Sequence, residues 1–195
     1  MYRGSYRDFV MAVERVEQRL RRVTAALDEA GVPYAVIGGN AVAAWVARVD
    51  PGATRTTKDV DLLVDRADGP RVDAVFQSLR FERHDLRKLV LFVDPDEPSK
   101  RSGVHLVWAG ERVRSNYLCP APSVSEFVMD PQGFRVLDLP GLVRMKLTSF
   151  RDVDRVHVAD LIGVGLIDEG IRAALLPELR SRLDSIHDSI ESDDE

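Results

Sequence analysis

Near the start of the chain, apolar residues recur at alternating steps of four and three: Phe9, Val13, Val16, Leu20, Val23 and Leu27, with charged residues between them. That spacing is the helical period, so the segment from about Ser5 to Ala30 is predicted as one amphipathic helix. Gly31 is placed to cap its C-terminus, and Pro33 stops it. The stripe is heptad-like but too short to require a coiled coil. It suits packing on a core, and it also suits a seam between two copies in a homodimer.

The pattern then changes period. Tyr34-Ala35-Val36-Ile37 reads as a short buried strand broken by Gly38-Gly39. Asn40 is placed to cap a helix over Ala41 to Ala47, whose small apolar residues pack closely on a sheet. Asp50-Pro51-Gly52 is a turn, and the apolar, β-branched run around Val60 to Val64 is a second strand. Gly69-Pro70 opens a helix to about Leu79. Leu89 to Val93 and Val104 to Trp108 are further strands, joined by a loop that contains Pro95 and Pro98. Beyond them the character is helical. After a short strand over Phe134 to Leu137, Pro140 suits the first turn of a helix carrying Leu142, Val143, Met145 and Leu147. Asp152 can cap the next, through Val153, Val156, Leu161 and Val164. Pro177 can start the last, through Leu179, Leu183, Ile186 and Ile190. The expectation is an α/β (α+β) chain in four parts. These are an N-terminal helix over 1–30, a mixed-sheet core over 31–138, a helical C-terminal subdomain over 139–190 and an acidic tail over 191–195.

Composition changes this picture little. The chain has 195 residues, 45% hydrophobic and 30% charged, as in a soluble globular domain. Its net charge of −5 comes from 32 acids against 27 bases. Six of those acids fall in 184–195, a stretch without Lys or Arg, so 27 bases face 26 acids in the body. The tail from Glu191 reads as frayed and solvated. No basic excess marks a nucleic-acid footprint. No apolar run approaches a membrane span, and Met1-Tyr2-Arg3-Gly4 lacks the apolar core of a signal peptide. The single cysteine, Cys119, cannot form an internal disulfide and has no Cys-His motif around it, which suits a reducing, cytoplasmic setting and no catalytic role.

The chemistry concentrates in Arg55-Thr56-Thr57-Lys58-Asp59-Val60-Asp61. In a strand, side chains repeat with a period of two, so Asp59 and Asp61 share a face. Two carboxylates side by side repel, and a divalent cation, Mg²⁺ or Mn²⁺, removes the repulsion; Mg²⁺ in particular is held by one or two carboxylates plus substrate phosphates. Gly38-Gly39, at a strand-to-helix turn, lets backbone approach a ligand, and the helix N-terminus beyond favours a phosphate. Lys146, on a later helix, suits the tail of a nucleoside triphosphate as a point charge. The alternative for Asp59 and Asp61 is a solvent-facing strand with alternating polar residues.

Gly38-Gly39, a helix and Asp59-Val60-Asp61-Leu62 together resemble the motif of the DNA polymerase beta-like nucleotidyltransferase superfamily. The stretch Val36 to Trp45 and the later run from Leu142 to His157 look like its AbiEii-type toxin branch; the resemblance covers roughly Gly31 to Leu166. It implies a mixed sheet backed by helices. It also implies transfer of a nucleoside monophosphate from a nucleoside triphosphate to an RNA, protein or small-molecule acceptor, with a toxin–antitoxin pairing as a further implication. By the same resemblance Asp59 and Asp61 would ligate the metals, Gly38, Gly39 and Asn40 would hold phosphates, and Lys146 would neutralise pyrophosphate. Arg55 and Lys58 lie close enough in sequence to assist.

Two features depart from the superfamily. The gap between Gly39 and Asp59 is long, implying a loop around Asp50-Pro51-Gly52. The strand expected to carry a third carboxylate, Gly103 to Trp108, carries His105 instead, which suits a proton acceptor better than a Mg²⁺ ligand. Asp94, Asp96, Glu97 and Glu111 are the candidate substitutes. His105 equally suits a structural histidine at a sheet end. His157 suits packing, or bonding with Asp154 or Asp160, and His84 and His187 read as surface residues. Arg144, Arg151 and Arg155 suit either an acceptor groove or a solvated helix face, and Trp45 and Trp108 read as core. Beside the enzyme stand two other readings: a nucleotidyltransferase fold that binds a nucleotide or partner without turnover, and an interaction module that dimerises through the N-terminal stripe.

Overall fold

The structure, a computed structural model, describes residues 5–86, 89–97 and 102–193. Met1 to Gly4, Pro98, Asp194 and Glu195, about which expectations are stated above, lie outside the described residues. Helix α1 (Tyr6–Glu29) begins at a capping box, in which Ser5 Oγ accepts from Asp8 N and the Asp8 carboxylate accepts from Ser5 N. It buries Val16, Leu20, Val23 and Leu27 against the core. Phe9 stays 52% exposed beside Tyr6, Val10 and Met11, so only the C-terminal part of the apolar stripe serves the core.

Seven strands among the described residues form one mixed sheet: β1 (Ala35–Ile37), β2 (Val60–Val64), β3 (Glu82–Leu86), β4 (Leu89–Val93), β5 (Val104–Trp108), β6 (Phe127–Met129) and β7 (Arg135–Leu137). Their order across the sheet is β3-β4-β5-β2-β1-β7-β6. β2 runs parallel to β5 and β1 parallel to β7, while the remaining neighbours are antiparallel. Val60, Leu62, Leu63 and Val64 of the central β2 are all fully buried, as expected of a strand covered on both faces; Asp61 alone in that strand reaches towards solvent.

Among the described residues there are six more α-helices: α2 (Gly38–Ala47), α3 (Gly69–Ser78), α4 (Leu139–Ser149), α5 (Asp152–Gly163), α6 (Glu169–Ala174) and α7 (Pro177–Asp193). α1 packs with α3, and α2, α4, α5 and α7 form a second packed group. The Asp50-Pro51-Gly52 turn is a single 3-10 turn over Pro51–Ala53, with Asp50 Oδ1 accepting from Gly52 N at 2.8 Å.

Two strands and one α-helix have no counterpart in the sequence reading. β3 (Glu-Arg-His-Asp-Leu) has no apolar alternation because it is an edge strand with most of its residues exposed. β6 is three residues long at the opposite edge. α6 is a six-residue helix started by Asp168, whose Oδ1 accepts from Ile171 N.

Both expected Asx caps are corrected. Asn40 is not the cap of α2: the helix begins at Gly38, directly after β1, and the Asn40 amide donates instead to the Asp59 carbonyl at 2.8 Å. Asp152 does not cap α5 either. It is the first helical residue and exposed, and Asp154 accepts from Arg151 N at the cap position. α7 carries helix through Glu191 and Ser192 to Asp193, past the point where the tail was expected to fray.

Candidate active site

The glycine turn and the two-aspartate strand meet because β1 ends where β2 and β5 begin. Ile37 is in register with Asp61, and Asp61 with His105. One backbone position makes this approach close. Gly38 has φ +70°, and a Cβ there would lie 1.9 Å from Asp61 Oδ2. Gly38→Ala would therefore meet both a left-handed strain of about 1–3 kcal/mol and a collision with the carboxylate. A lowered urea midpoint together with weakened divalent-ion binding is the expected result.

Asp59 lies just ahead of β2 and is held twice: Thr57 Oγ1 donates to its Oδ1 at 2.8 Å, and Asn40 Nδ2 holds its carbonyl. His105 Nδ1 sits 3.3 Å from Asp61 Oδ1 and 3.6 Å from Asp59 Oδ2. The hydrogen bond to Asp61 raises the His105 pKa above its ordinary value, against burial, with the charges of Asp61 and Asp59 adding to it. Each of the three residues offers one ligand atom, and all these atoms lie within 4.8 Å of one another. Glycine at position 38 keeps the space beside Asp61 Oδ2 open. Two carboxylates and one imidazole nitrogen, so placed, fit a divalent cation.

These residues line one wall of a cavity of about 560 Å³, to which Gly38, Gly39 and Thr57 also contribute. The facing wall comes from α4 and α5 and includes Lys146, Ser149, Arg151, Asp154 and His157. A third side is the irregular segment after β5, with Arg114, Tyr117 and Cys119. Lys146 is not a solvated lysine. Its side chain is 6% exposed, and Nζ donates to Asp154 Oδ1 at 3.1 Å. Asp154, fully buried, also accepts from Ser149 Oγ at 2.6 Å and from Arg151 Nε at 2.7 Å. Burial alone would raise its pKa. The Arg151 hydrogen bond, the Lys146 charge and the Ser149 hydrogen bond outweigh that and hold the carboxyl well below the usual carboxylate range.

His157 makes neither expected bond: its Nδ1 is buried without a hydrogen-bond partner among the described residues. Asp154 is engaged as above, and Asp160 accepts from Arg55 Nε at 2.7 Å. Burial first, and the Lys146 charge second, depress the His157 pKa to about 4. Between this value and the ordinary 6.5 the unfolded chain takes up a proton that the folded chain refuses. The resulting stability is full above pH 6.5 and declines as pH falls towards 4. Urea midpoints should fall across that window, and His157→Gln should flatten the decline; an unchanged slope would assign it to other groups.

Of the expected site residues, Gly38, Gly39, Asp59, Asp61, His105 and Lys146 come together in the cavity. Asn40, Arg55 and Lys58 are not among its lining residues: Asn40 braces Asp59, and Arg55 pairs with Asp160. The substitute acids also lie elsewhere. Asp94 and Glu97 bind Arg19, Asp96 approaches Arg22, and Glu111 binds Arg66. Of the three arginines weighed for a groove, Arg151 lines the cavity, whereas Arg144 pairs with Glu126 and Arg155 with Asp152. Trp45 donates from Nε1 to the Leu137 carbonyl, and both tryptophans pack on the core. Asp154 is the residue the sequence reading passed over; its only signal was its place three residues after Arg151, in a cap position.

No protein-family model and no curated protein matches the chain. Solved structures do. The solution structure of the antibiotic-resistance factor ANT(2'')-Ia superposes with TM-score 0.58 at 18% identity, covering 93% of this chain and 97% of that one. ANT(2'')-Ia in complex with adenylyl-2''-tobramycin gives TM-score 0.58 at 19% identity, over 89% of this chain and 99% of the other. A Thermotoga maritima structure assigned as a nucleotidyltransferase gives TM-score 0.48 at 13% identity, over 77% and 91%. The chain has a nucleotidyltransferase-like fold, a mixed sheet backed by helices, with the Asp59–Asp61 pair among the residues that line its cavity.

Proposed function

We propose that this protein is a metal-dependent nucleotidyltransferase that moves a nucleoside monophosphate from a nucleoside triphosphate to an acceptor hydroxyl. The observation that carries the proposal is the meeting of Gly38, Asp59, Asp61 and His105 across three strands, opposite the buried Lys146–Asp154 pair, in one cavity. A divalent cation held by Asp59 and Asp61 would supply Lewis-acid activation of the α-phosphate and charge for the departing pyrophosphate. The protein's own part is positioning. Asn40 and Thr57 fix Asp59, the backbone after Gly38 lets phosphate oxygens approach the start of α2, and Lys146 and Arg151 set positive charge across the cavity. In the reaction the acceptor oxygen bonds to the α-phosphorus, the bond from that phosphorus to pyrophosphate breaks, and the hydroxyl proton leaves to solvent past the carboxylates.

The adenylylated aminoglycoside bound to ANT(2'')-Ia makes a small polyhydroxylated molecule one acceptor class to test, beside RNA and protein. A toxin role with an antitoxin partner rests on the sequence resemblance. The test is incubation with α-labelled nucleoside triphosphates, Mg²⁺ or Mn²⁺, and in turn total RNA, a protein fraction and aminoglycosides; label should enter one of the three. One observation favours a second reading, a binder without turnover: His105 stands where a third acid would. Metal-dependent nucleotide binding with no label transferred to any acceptor would select it.

A further inference from the structure

The donors of this cluster in the cavity lining are of two kinds. Asp59 and Asp61 offer carboxylate oxygens, whereas His105 turns a ring nitrogen, Nδ1, towards both of them. Its backbone is fixed on either side, by register with Asp61 across β2–β5 and with Leu91 across β4–β5. The imidazole side chain is 20% exposed, less than either aspartate at 36% and 27%. It is thus an inner member of the cluster.

Among the described residues that line the cavity, the one other acid is Asp154. Asp94, Asp96, Glu97 and Glu111 are paired with arginines away from the cavity. Asp154, across the cavity, already accepts from Lys146, Ser149 and Arg151. The third side chain grouped with Asp59 and Asp61 within metal-binding distance is His105, a nitrogen donor.

Donor chemistry then decides which ion the site favours. Mg²⁺ demands oxygen donors and gives up water reluctantly. A nitrogen donor steepens the rise in affinity from Mn²⁺ to Co²⁺ and beyond. Charge matters too: two carboxylates and a neutral imidazole balance one dication. A second ion would need the negative charge of a nucleotide's phosphates. We infer that Asp59, Asp61 and His105 form a mixed oxygen–nitrogen site for one resident transition-metal dication in preference to Mg²⁺, with His105 Nδ1 as a direct ligand.

This inference rests on the metal site proposed above, and its test separates the two. Mn²⁺ is titrated into the metal-free protein without nucleotide and followed by electron paramagnetic resonance, with Mg²⁺ as competitor. Echo modulation is then read for coupling to ¹⁴N. The expected results are one saturable Mn²⁺ site, displacement by Mg²⁺ only at about tenfold excess or more, and a nitrogen coupling that ¹⁵N-histidine labelling shifts. The coupling should vanish in His105→Ala and persist in His157→Gln. His105→Asp should bring the Mn²⁺ and Mg²⁺ affinities together. Mn²⁺ bound at the site without nitrogen coupling overturns the inference and leaves the metal site standing. Absence of saturable Mn²⁺ binding by the folded wild-type protein overturns both. The labelling arm needs no substitution, so it holds even if a His105 variant fails to fold.

Discussion

Asp61→Asn is expected to remove nucleotidyl transfer, lowering it at least about a hundredfold, since even residues that only orient metal ligands cost 10–100-fold when changed. The substitution keeps shape and removes a charge, so the fold should persist. Asp61 is partly exposed and lies in register between Ile37 and His105. The neutral amide also ends the pairing that raises the His105 pKa, so that value should fall towards its ordinary level. Measured together, transfer lost and the His105 titration lowered would place both effects at one site. Undiminished transfer by Asp61→Asn would remove this residue from the chemistry.

The second large effect is on stability. Asp154→Ala would leave Lys146 buried, its side chain 6% exposed, without its carboxylate. Breaking a buried pair from one side costs about 3–5 kcal/mol, and Ser149 Oγ loses the shortest of its hydrogen bonds as well. Arg151 adds little to that cost because its side chain is 58% exposed and can turn to water. Chemical denaturation should show the loss in the midpoint with little change in slope. Lys146→Met, which removes the buried cation instead, should cost less than Asp154→Ala. A loss below about 0.5 kcal/mol for Asp154→Ala, the range of an ordinary surface change, would show that the pair does not hold α4 to α5.

These two residues also show what the sequence could disclose. Asp61 was legible because β2 is otherwise entirely apolar, so a charge in it stands out, and its partner Asp59 follows from strand alternation. The order of strands was not legible. That His105 lies beside Asp61 rests on the β2–β5 pairing, between segments far apart in the chain. Asp154 was hidden for another reason. Its run, Asp152-Val153-Asp154-Arg155-Val156-His157, has two exposed valines and a buried aspartate, the reverse of what hydropathy suggests. Tertiary context decided it: Lys146 and Ser149 on α4 and Arg151 at the start of α5 converge on that carboxylate. Asn40 and Asp152 were misassigned as caps because cap propensity is local. The strand-to-helix passage at Gly38, and the cap at Arg151 whose N–H donates to Asp154, were set by neighbours.

The same logic covers the edges of the sheet. β3 and β6 carry little apolar alternation because each pairs on one side only, whereas the buried β4, β5 and β2 announced themselves. The amphipathic period of α1 was plain, but where the core stops was not: Val16 is buried and Phe9 is not.

The most direct test of the central claim is calorimetric titration of the protein with a nucleoside triphosphate whose α,β-bridge is an unreactive imido group, with and without Mn²⁺. The account predicts saturable binding that requires the metal, and loss of that binding in the Asp59→Asn, Asp61→Asn double variant, whose denaturation midpoint should stay near that of the parent. Nucleotide binding that is indifferent to metal or to the two aspartates, or its absence from the folded parent, would contradict the claim that this cavity is a metal–nucleotide site.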